Sequence, residues 1–303
     1  MRWTAEQLPD LTGRRALVTG ANSGIGFVLS RELARHGAEV VLAVRDTDAG
    51  EAAAERIGAS GIRAEVSVER LDLASLESVR ALADRFDGAL DLLVNNAGVM
   101  APSRRRTTVD GHELQFGTNH LGHVALTALL LPHLLKTESP RVTTVSSLAH
   151  RSGNGRVLAG NPEQGYDPQT SYSQSKLANL LFALELQRRA DAAGSPLTST
   201  AAHPGVSSTR LFTSRDGMGA NPVVRAVVGG FGRVFFAGAE PAAEAVLYAA
   251  SVAEPGSYTG PTSLGGARGP IGPALPSGWA LDETLAGLLW EHSEELAGVR
   301  FAF

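Results

Sequence analysis

A chain of 303 residues with 43% hydrophobic and 19% charged residues has the composition of a soluble globular protein. Its formal charge of −4 gives no reason to expect a nucleic-acid or acidic-membrane partner, and the basic run Arg104, Arg105 and Arg106 reads as a solvated loop. The absence of cysteine removes disulfides, thiolate nucleophiles, iron–sulfur clusters and cysteine-ligated zinc, and it fits a reducing cytoplasmic setting.

The opening MRWTAEQLPDL is polar and acidic and has no apolar core, so no secretory signal is expected. Residues 15–20, RALVTG, form a short buried-strand pattern closing on threonine and glycine, and 25–37 has helical spacing that stops at Gly37. The alternation continues with a strand over 38–45 and a helix over 48–60. A strand around 64–71 and a helix around 76–86 follow, then a strand within 90–98 and a long helix over 111–135. The apolar run at 124–135 is too short to span a bilayer and contains Pro132 and His133, so no membrane anchor is expected. A strand at 141–147, a helix opened by SYSQSK (171–176) and a strand at 197–205 complete the series. Continuous apolar strands alternating with amphipathic helices predict one doubly wound α/β domain, a parallel sheet with helices on both faces. After His203 the pattern loosens into a glycine-rich apolar stretch at 217–236, a helix near 239–253 and a Gly/Pro-rich segment at 255–278. A last helix is predicted near 282–296. Tyr258, Leu264, Ile271 and Leu275 mark the Gly/Pro-rich segment as an ordered wrap rather than a disordered one.

Two places in this series carry chemistry. VTGANSGIG (18–26) follows the first strand and opens the first helix, the context a dinucleotide loop requires. Its glycines let the backbone approach a pyrophosphate, and the helix N-terminus offers unpaired N–H groups to it. The spacing Thr19-Gly20-x-x-x-Gly24-x-Gly26 is not G-x-G-x-x-G, and no G-K-[ST] follows, which disfavours nucleotide hydrolysis. The second place is SYSQSK, where Tyr172 and Lys176 stand one helical turn apart on one face. Read alone, the pair is a half-buried aromatic and a solvated charge. Read chemically, a lysine ammonium favours phenolate in its neighbour; bringing a phenol from about 10 to neutrality amounts to about 4 kcal/mol.

Taken in order, TGxxxGxG, NNAG at 95–98, Ser146-Ser147, YxxxK and the Pro204-Gly205 pair resemble the classical short-chain dehydrogenase/reductase family over roughly residues 13–260. TVDGHELQFGTNHLGHVALT and VSSLAHRSG resemble its retinol-dehydrogenase-like and WW-domain-oxidoreductase-like branch. The resemblance implies a single Rossmann-fold oxidoreductase domain over 1–303. Its dinucleotide-binding and catalytic core would span 13–205, and a C-terminal substrate lid and wrap 206–303. It implies that Tyr172 is the acid/base, Lys176 its partner and a ribose ligand, Ser147 the residue orienting the substrate oxygen, and Asn119 the holder of a relay water. It places Gly20, Asn22, Ser23, Gly24, Ile25 and Gly26 on the pyrophosphate loop. Asp72 and Leu73 fall at the adenine; the alternative for Asp72 is an N-cap of the helix near 76. Asn95, Ala97 and Gly98 fall in the motif that stabilises the central sheet and lets the adenosine ribose lie close, and Pro204, Gly205, Val206 and Thr209 fall beside the nicotinamide. His203 reads as a strand-end residue.

The second predicted strand ends in Val44-Arg45, with no acidic residue to repel a 2′-phosphate and an arginine able to bind one, so NADP(H) is favoured over NAD(H). Asp46 and Ser23 weigh against that preference. Leu211, Phe212, Val223, Val224, Phe231, Val234 and Phe235 occupy the region where this family puts its lid, which suits a lipophilic carbonyl or alcohol. The competing functions are a nucleotide-sugar epimerase or dehydratase and a non-catalytic NADP sensor; the first favours TGxxGxxG, and the second usually loses the tyrosine or lysine. The resemblance also implies pairing of the fourth and fifth helices into a homodimer or homotetramer, unless the insert at 151–170 covers that face. The same insert could instead border the substrate mouth.

Overall fold

The strand β1 (Arg15–Thr19) presents Ala16, Leu17 and Val18 in succession, buried toward both sides, as a strand covered on both faces must be. It lies parallel to β2 (Glu39–Val44) and to β4 (Leu92–Asn95), with Val18 opposite Leu42 on one side and Val94 on the other. The computed structural model describes residues 3–160, 165–206 and 238–303. Beyond β2 the sheet adds β3 (Val66–Arg70); beyond β4 it adds β5 (Arg141–Val145), β6 (Thr198–Ala202), β7 (Tyr258–Ser263) and β8 (Arg268–Pro273). The order is β3-β2-β1-β4-β5-β6-β7-β8, parallel throughout except where β8 runs against β7. Strand order reverses between β1 and β4, and a doubly wound sheet opens its crevice at the carboxyl ends of the strands at that point.

Three helices bury one face of the sheet: α1 (Gly24–Arg35), α2 (Thr47–Ala59) and α7 (Ala239–Ser251), through residues such as Leu29, Leu33, Ile57 and Val246. The other face carries α3 (Leu76–Arg85), α5 (Gly122–Leu134) and α6 (Pro168–Ala192). Here α5 and α6 are buried nearly all round, because α8 (Glu283–Ala297) packs across both as a further layer. Trp290 of α8 stacks on Phe182 at 5.5 Å between ring centroids, and Ser293 Oγ lies 2.8 Å from His120 Nε2. Val157 of the insert at 151–170 packs beside α8 against Leu177 and Leu181 of α6, so both segments cover this helix. Among the described residues no helix is long and apolar enough to cross a membrane.

Two expectations change. The single helix predicted over 111–135 is three pieces: the short α4 (Leu114–Phe116), a π-helical turn (Gly117–Leu121) and α5. Such turns insert a residue into the helical ladder and recur at functional sites; this one holds Asn119. The Gly/Pro-rich segment expected as a wrap instead forms β7 and β8. Proline hides a strand signal, yet Pro270 and Pro273 are tolerated in β8 because it is the edge of the sheet.

Candidate active site

Backbone from two loops forms the first half of the cleft at the β1/β4 reversal. After β1 the chain turns at Gly20, whose φ of +67° is left-handed. A Cβ on Gly26 would collide with the Gly20 carbonyl oxygen and come within 2.7 Å of Asn96 Nδ2, so α1 can start this close to the turn only with glycine there. Thr19 stitches the two loops together. Its hydroxyl accepts from Asn96 N and Ala97 N at 2.9 Å each, while Asn96 Nδ2 donates to the Thr19 carbonyl at 2.8 Å. Ser23 stands at the N-cap of α1 without a side-chain cap bond, and the first turn contains no acidic residue. In contrast, Asp46, Ser75, Asp167 and Asp282 cap α2, α3, α6 and α8 with their side chains. The α1 amides are thus left for a ligand, and a glycine-floored cradle beside an uncapped helix N-terminus fits the pyrophosphate of a dinucleotide.

The structure brings Gly20, Asn22, Ser23, Gly24, Ile25, Gly26, Arg45, Asp72, Leu73, Ala97 and Gly98 to this cleft, as the sequence predicts. Because Ser75 caps α3, Asp72 is left at the cleft, with one carboxylate oxygen accepting from Ala74 N at 3.0 Å. Arg45 is exposed at the cleft, and the neighbouring Asp46 carboxylate accepts from Ala49 N. Pro204, Gly205 and Val206 close the far end; Val206 N donates to Ala267 O in the β7–β8 turn. Thr209 lies outside the described residues, as do the predicted lid residues Leu211, Phe212, Val223, Val224, Phe231, Val234 and Phe235.

The second half of the cleft rests on α6. Asp167 caps this helix and Pro168 starts it, so it begins ahead of SYSQSK, and Tyr172 and Lys176 lie inside it one turn apart. Tyr172 is 8% exposed and Lys176 4%. Lys176 Nζ donates to the Val145 carbonyl at 3.0 Å and sits 5.9 Å from the centroid of the Tyr172 ring. The serine pair divides its work. Ser146 Oγ donates to the Lys176 carbonyl at 2.8 Å and fixes α6 against the end of β5, whereas Ser147 Oγ accepts from Ala149 N at 3.2 Å and lines the cleft with Tyr172, whose phenol pKa it acts to lower.

Burial dominates the electrostatics of this pair. It pushes the Tyr172 phenol up, with the Ser147 hydrogen bond the weaker opposing influence. It also lowers the Lys176 ammonium from 10.5 to about 8. In the protein alone, desolvation of the phenolate is the dominant influence on Tyr172. At neutral pH the pair is a phenol beside an ammonium, a proton donor with a cation one turn away.

Two predicted site residues stand behind the cleft wall rather than in it. Asn95 is fully buried, and its Nδ2 donates to Thr127 Oγ1 at 3.0 Å and Thr144 Oγ1 at 3.5 Å, bracing β4 against α5 and β5. The cleft takes the next residue, Asn96, instead. Asn119 is fully buried as well. Its Oδ1 accepts from Val99 N at 2.8 Å, while its Nδ2 donates to Val99 O and Ser175 Oγ at 3.0 Å each, so the side chain clamps the loop after β4 to α6. Its carbonyl lies 2.9 Å from His123 Nδ1, an imidazole that burial holds neutral at about 4. His203 ends its strand with Nδ1 accepting from Gly205 N at 3.2 Å.

Sequence reasoning missed the residues that line the cleft beside Tyr172: Met100, Ala149 and Gln169. No motif marks Met100 or Ala149. The signal for Gln169 was present, since it lies three residues before Tyr172 on the same helical face. Of the two alternatives for the insert at 151–170, its C-terminal end does border this mouth.

The short chain dehydrogenase family model matches residues 14–218. Retinol dehydrogenase 13 of Mus musculus is 39% identical over 296 residues, covering 96% of this chain and 86% of that protein. Polyprenol dehydrogenase of Mus musculus is 41% identical over 303 residues, with the same shares, 96% and 86%. Among solved structures, an uncharacterized protein from Mycobacterium paratuberculosis superposes with a TM-score of 0.82 at 44% identity, covering 100% of both chains.

Proposed function

The chain belongs to the short-chain dehydrogenase family, in its retinol-dehydrogenase-like branch, and on that premise we propose that it interconverts a carbonyl and an alcohol on a lipophilic small molecule using NADP(H). The observation that carries this reading is the meeting, in one cleft, of buried Tyr172 and Lys176 and half-buried Ser147 with an uncapped, glycine-floored α1 N-terminus. When bound, the dinucleotide gives hydride to the carbonyl carbon or takes it back from the alcohol carbon.

The chain's residues handle position and proton. The α1 amides and the backbone at Gly20–Gly26 would hold the pyrophosphate, and Lys176 would hydrogen-bond the nicotinamide ribose. Ser147 donates to the substrate oxygen. Tyr172, whose phenol burial keeps protonated, passes its proton to that oxygen as hydride reaches the carbon. The resulting phenolate lies one turn from the Lys176 ammonium, which stabilises it until a proton returns from solvent. In the oxidising direction the same atoms run in reverse, with Tyr172 accepting the hydroxyl proton as phenolate.

NADP(H) is preferred in this reading because Arg45 is exposed at the cleft, with no ion pair among the described residues, while the carboxylate of Asp46 is engaged in capping α2. A lipophilic substrate is supported by the apolar Met100 and Ala149 beside Tyr172, and by what the names of the two mouse relatives say of those proteins. The test is a panel of lipophilic aldehydes and ketones, all-trans-retinal among them, assayed with NADPH and with NADH. Carbonyl-dependent loss of NADPH absorbance is expected. A protein that binds NADPH and never oxidises it would sink the reading.

A further inference from the structure

Behind the substrate side of the cleft stands a polar cluster around the buried Gln115 and the half-buried Tyr166 that the proposed reaction does not use. Ala101 has φ +47°, left-handed backbone that alanine keeps only when its surroundings hold it there. Its N–H donates to Gln115 Oε1 at 2.6 Å. Gln115 is fully buried on α4, and its Nε2 donates to the carbonyl of Pro168, the first residue of α6, at 3.1 Å and to the Tyr166 hydroxyl at 3.3 Å. That hydroxyl in turn donates to the Pro102 carbonyl at 3.1 Å. The α4 turn is itself fixed by the buried Glu113 carboxylate, which accepts from Gln115 N at 2.9 Å and Phe116 N at 2.8 Å.

Two side chains outside the cleft therefore tie residues 101–102 to the start of α6. What they hold in place is functional surface. Met100 packs with Ala101 against Tyr172, and Gln169 is the residue after Pro168; both line the cleft. With its oxygen and both amide hydrogens engaged, Gln115 cannot turn without releasing one wall or the other.

We propose that Gln115 and Tyr166 are positioning residues that fix Met100 and Gln169 beside Tyr172 and so set the width of carbonyl compound the site accepts. This rests on the oxidoreductase reading above. Tyr166→Phe keeps the ring and removes only the hydroxyl. The intact protein is assayed at saturating NADPH with nonanal, a narrow substrate, and 2-naphthaldehyde, a wide one, and hydrogen exchange at the Ala101 amide is followed in the NADPH-loaded state.

The ratio of kcat/KM for the two aldehydes shifts about fivefold to tenfold in Tyr166→Phe, KM for NADPH stays within about twofold, and Ala101 exchanges faster. Met100→Ala, which removes the wall itself, shifts the same ratio. An unchanged ratio overturns the proposal. So does a rise in KM for NADPH that tracks the rise for aldehyde, because that marks general loosening of the cleft. If the wild-type protein oxidises no NADPH with any aldehyde, the oxidoreductase reading fails; the exchange measurement then decides the bracing separately, and unchanged exchange at Ala101 refutes it.

Discussion

On the dinucleotide side of the cleft the contact surface is mainly backbone, contributed by the consecutive residues 20–26 and 96–98 and fixed by Thr19 and Asn96 from the adjoining strand ends. On the substrate side it is side chains from separate segments, Met100, Ala149, Gln169 and Tyr172, held from behind by Gln115 and Tyr166. A backbone wall tolerates little change, because any added atom meets main chain that cannot yield. A side-chain wall can be altered one residue at a time while the strands and helices beneath it stay put.

Lys176 stands where the two halves meet, and replacing it has the largest expected effect. Lys176→Met should lower kcat/KM for carbonyl reduction by about a hundredfold to ten-thousandfold, measured by NADPH oxidation. Stability should move the other way. A buried ammonium lowered from 10.5 to about 8 costs about 3 kcal/mol of folding free energy at neutral pH. Removing it leaves the Val145 carbonyl still accepting from Asn179 Nδ2 at 3.1 Å. The sign is set by the depressed pKa. Below about 8 both folded and unfolded chains carry the proton and the penalty is full; as pH rises from 8 toward 10.5 it disappears. Denaturant melts at neutral pH should therefore show the variant more stable, with the gap closing in alkali.

On the backbone wall, Gly26→Ala forces a methyl against the Gly20 carbonyl. Dinucleotide KM should rise about tenfold or more and stability should fall by about 1–3 kcal/mol, read by titration and thermal melting. An alanine accepted without loss would mean that this wall is as adaptable as the other. The smallest of these effects belongs to Arg45, which reaches the dinucleotide side as a side chain. Arg45→Gln should raise KM for NADPH about tenfold and leave KM for NADH nearly unchanged, as loss of a partly solvated charge-assisted bond predicts. Equal effects on both dinucleotides would remove Arg45 from 2′-phosphate recognition.

The same contrast governs what could be read from the sequence. The dinucleotide side was legible because glycine spacing, a strand end and a helix start are local signals, and Gly20, Gly26 and Arg45 fell where they were expected. Tyr172 and Lys176 were legible for a similar reason, since one turn of helix fixes their relation. Asn95 braces the central sheet, as the family motif implies, whereas the clamp made by the Asn119 side chain was not legible. Nothing local distinguishes an amide facing the cleft from one clamping the wall, and Asn119 spends its side chain on Val99 and Ser175. The strands β7 and β8 were hidden by their prolines and glycines. The bracing by Gln115 and Tyr166 joins residues that only the packing of α4 against the start of α6 brings together, so no spacing rule reveals it.

The most direct measurement of the central claim is single-turnover oxidation of prebound NADPH by a lipophilic aldehyde, compared between the wild-type protein and Tyr172→Phe at equal dinucleotide occupancy. A wild-type burst of NADPH loss is expected. The variant, binding NADPH with unchanged affinity, should be slower by about a hundredfold to ten-thousandfold, as loss of a general acid predicts. Turnover in Tyr172→Phe at the wild-type rate would contradict the account, because the proton would then be coming from somewhere other than the buried phenol.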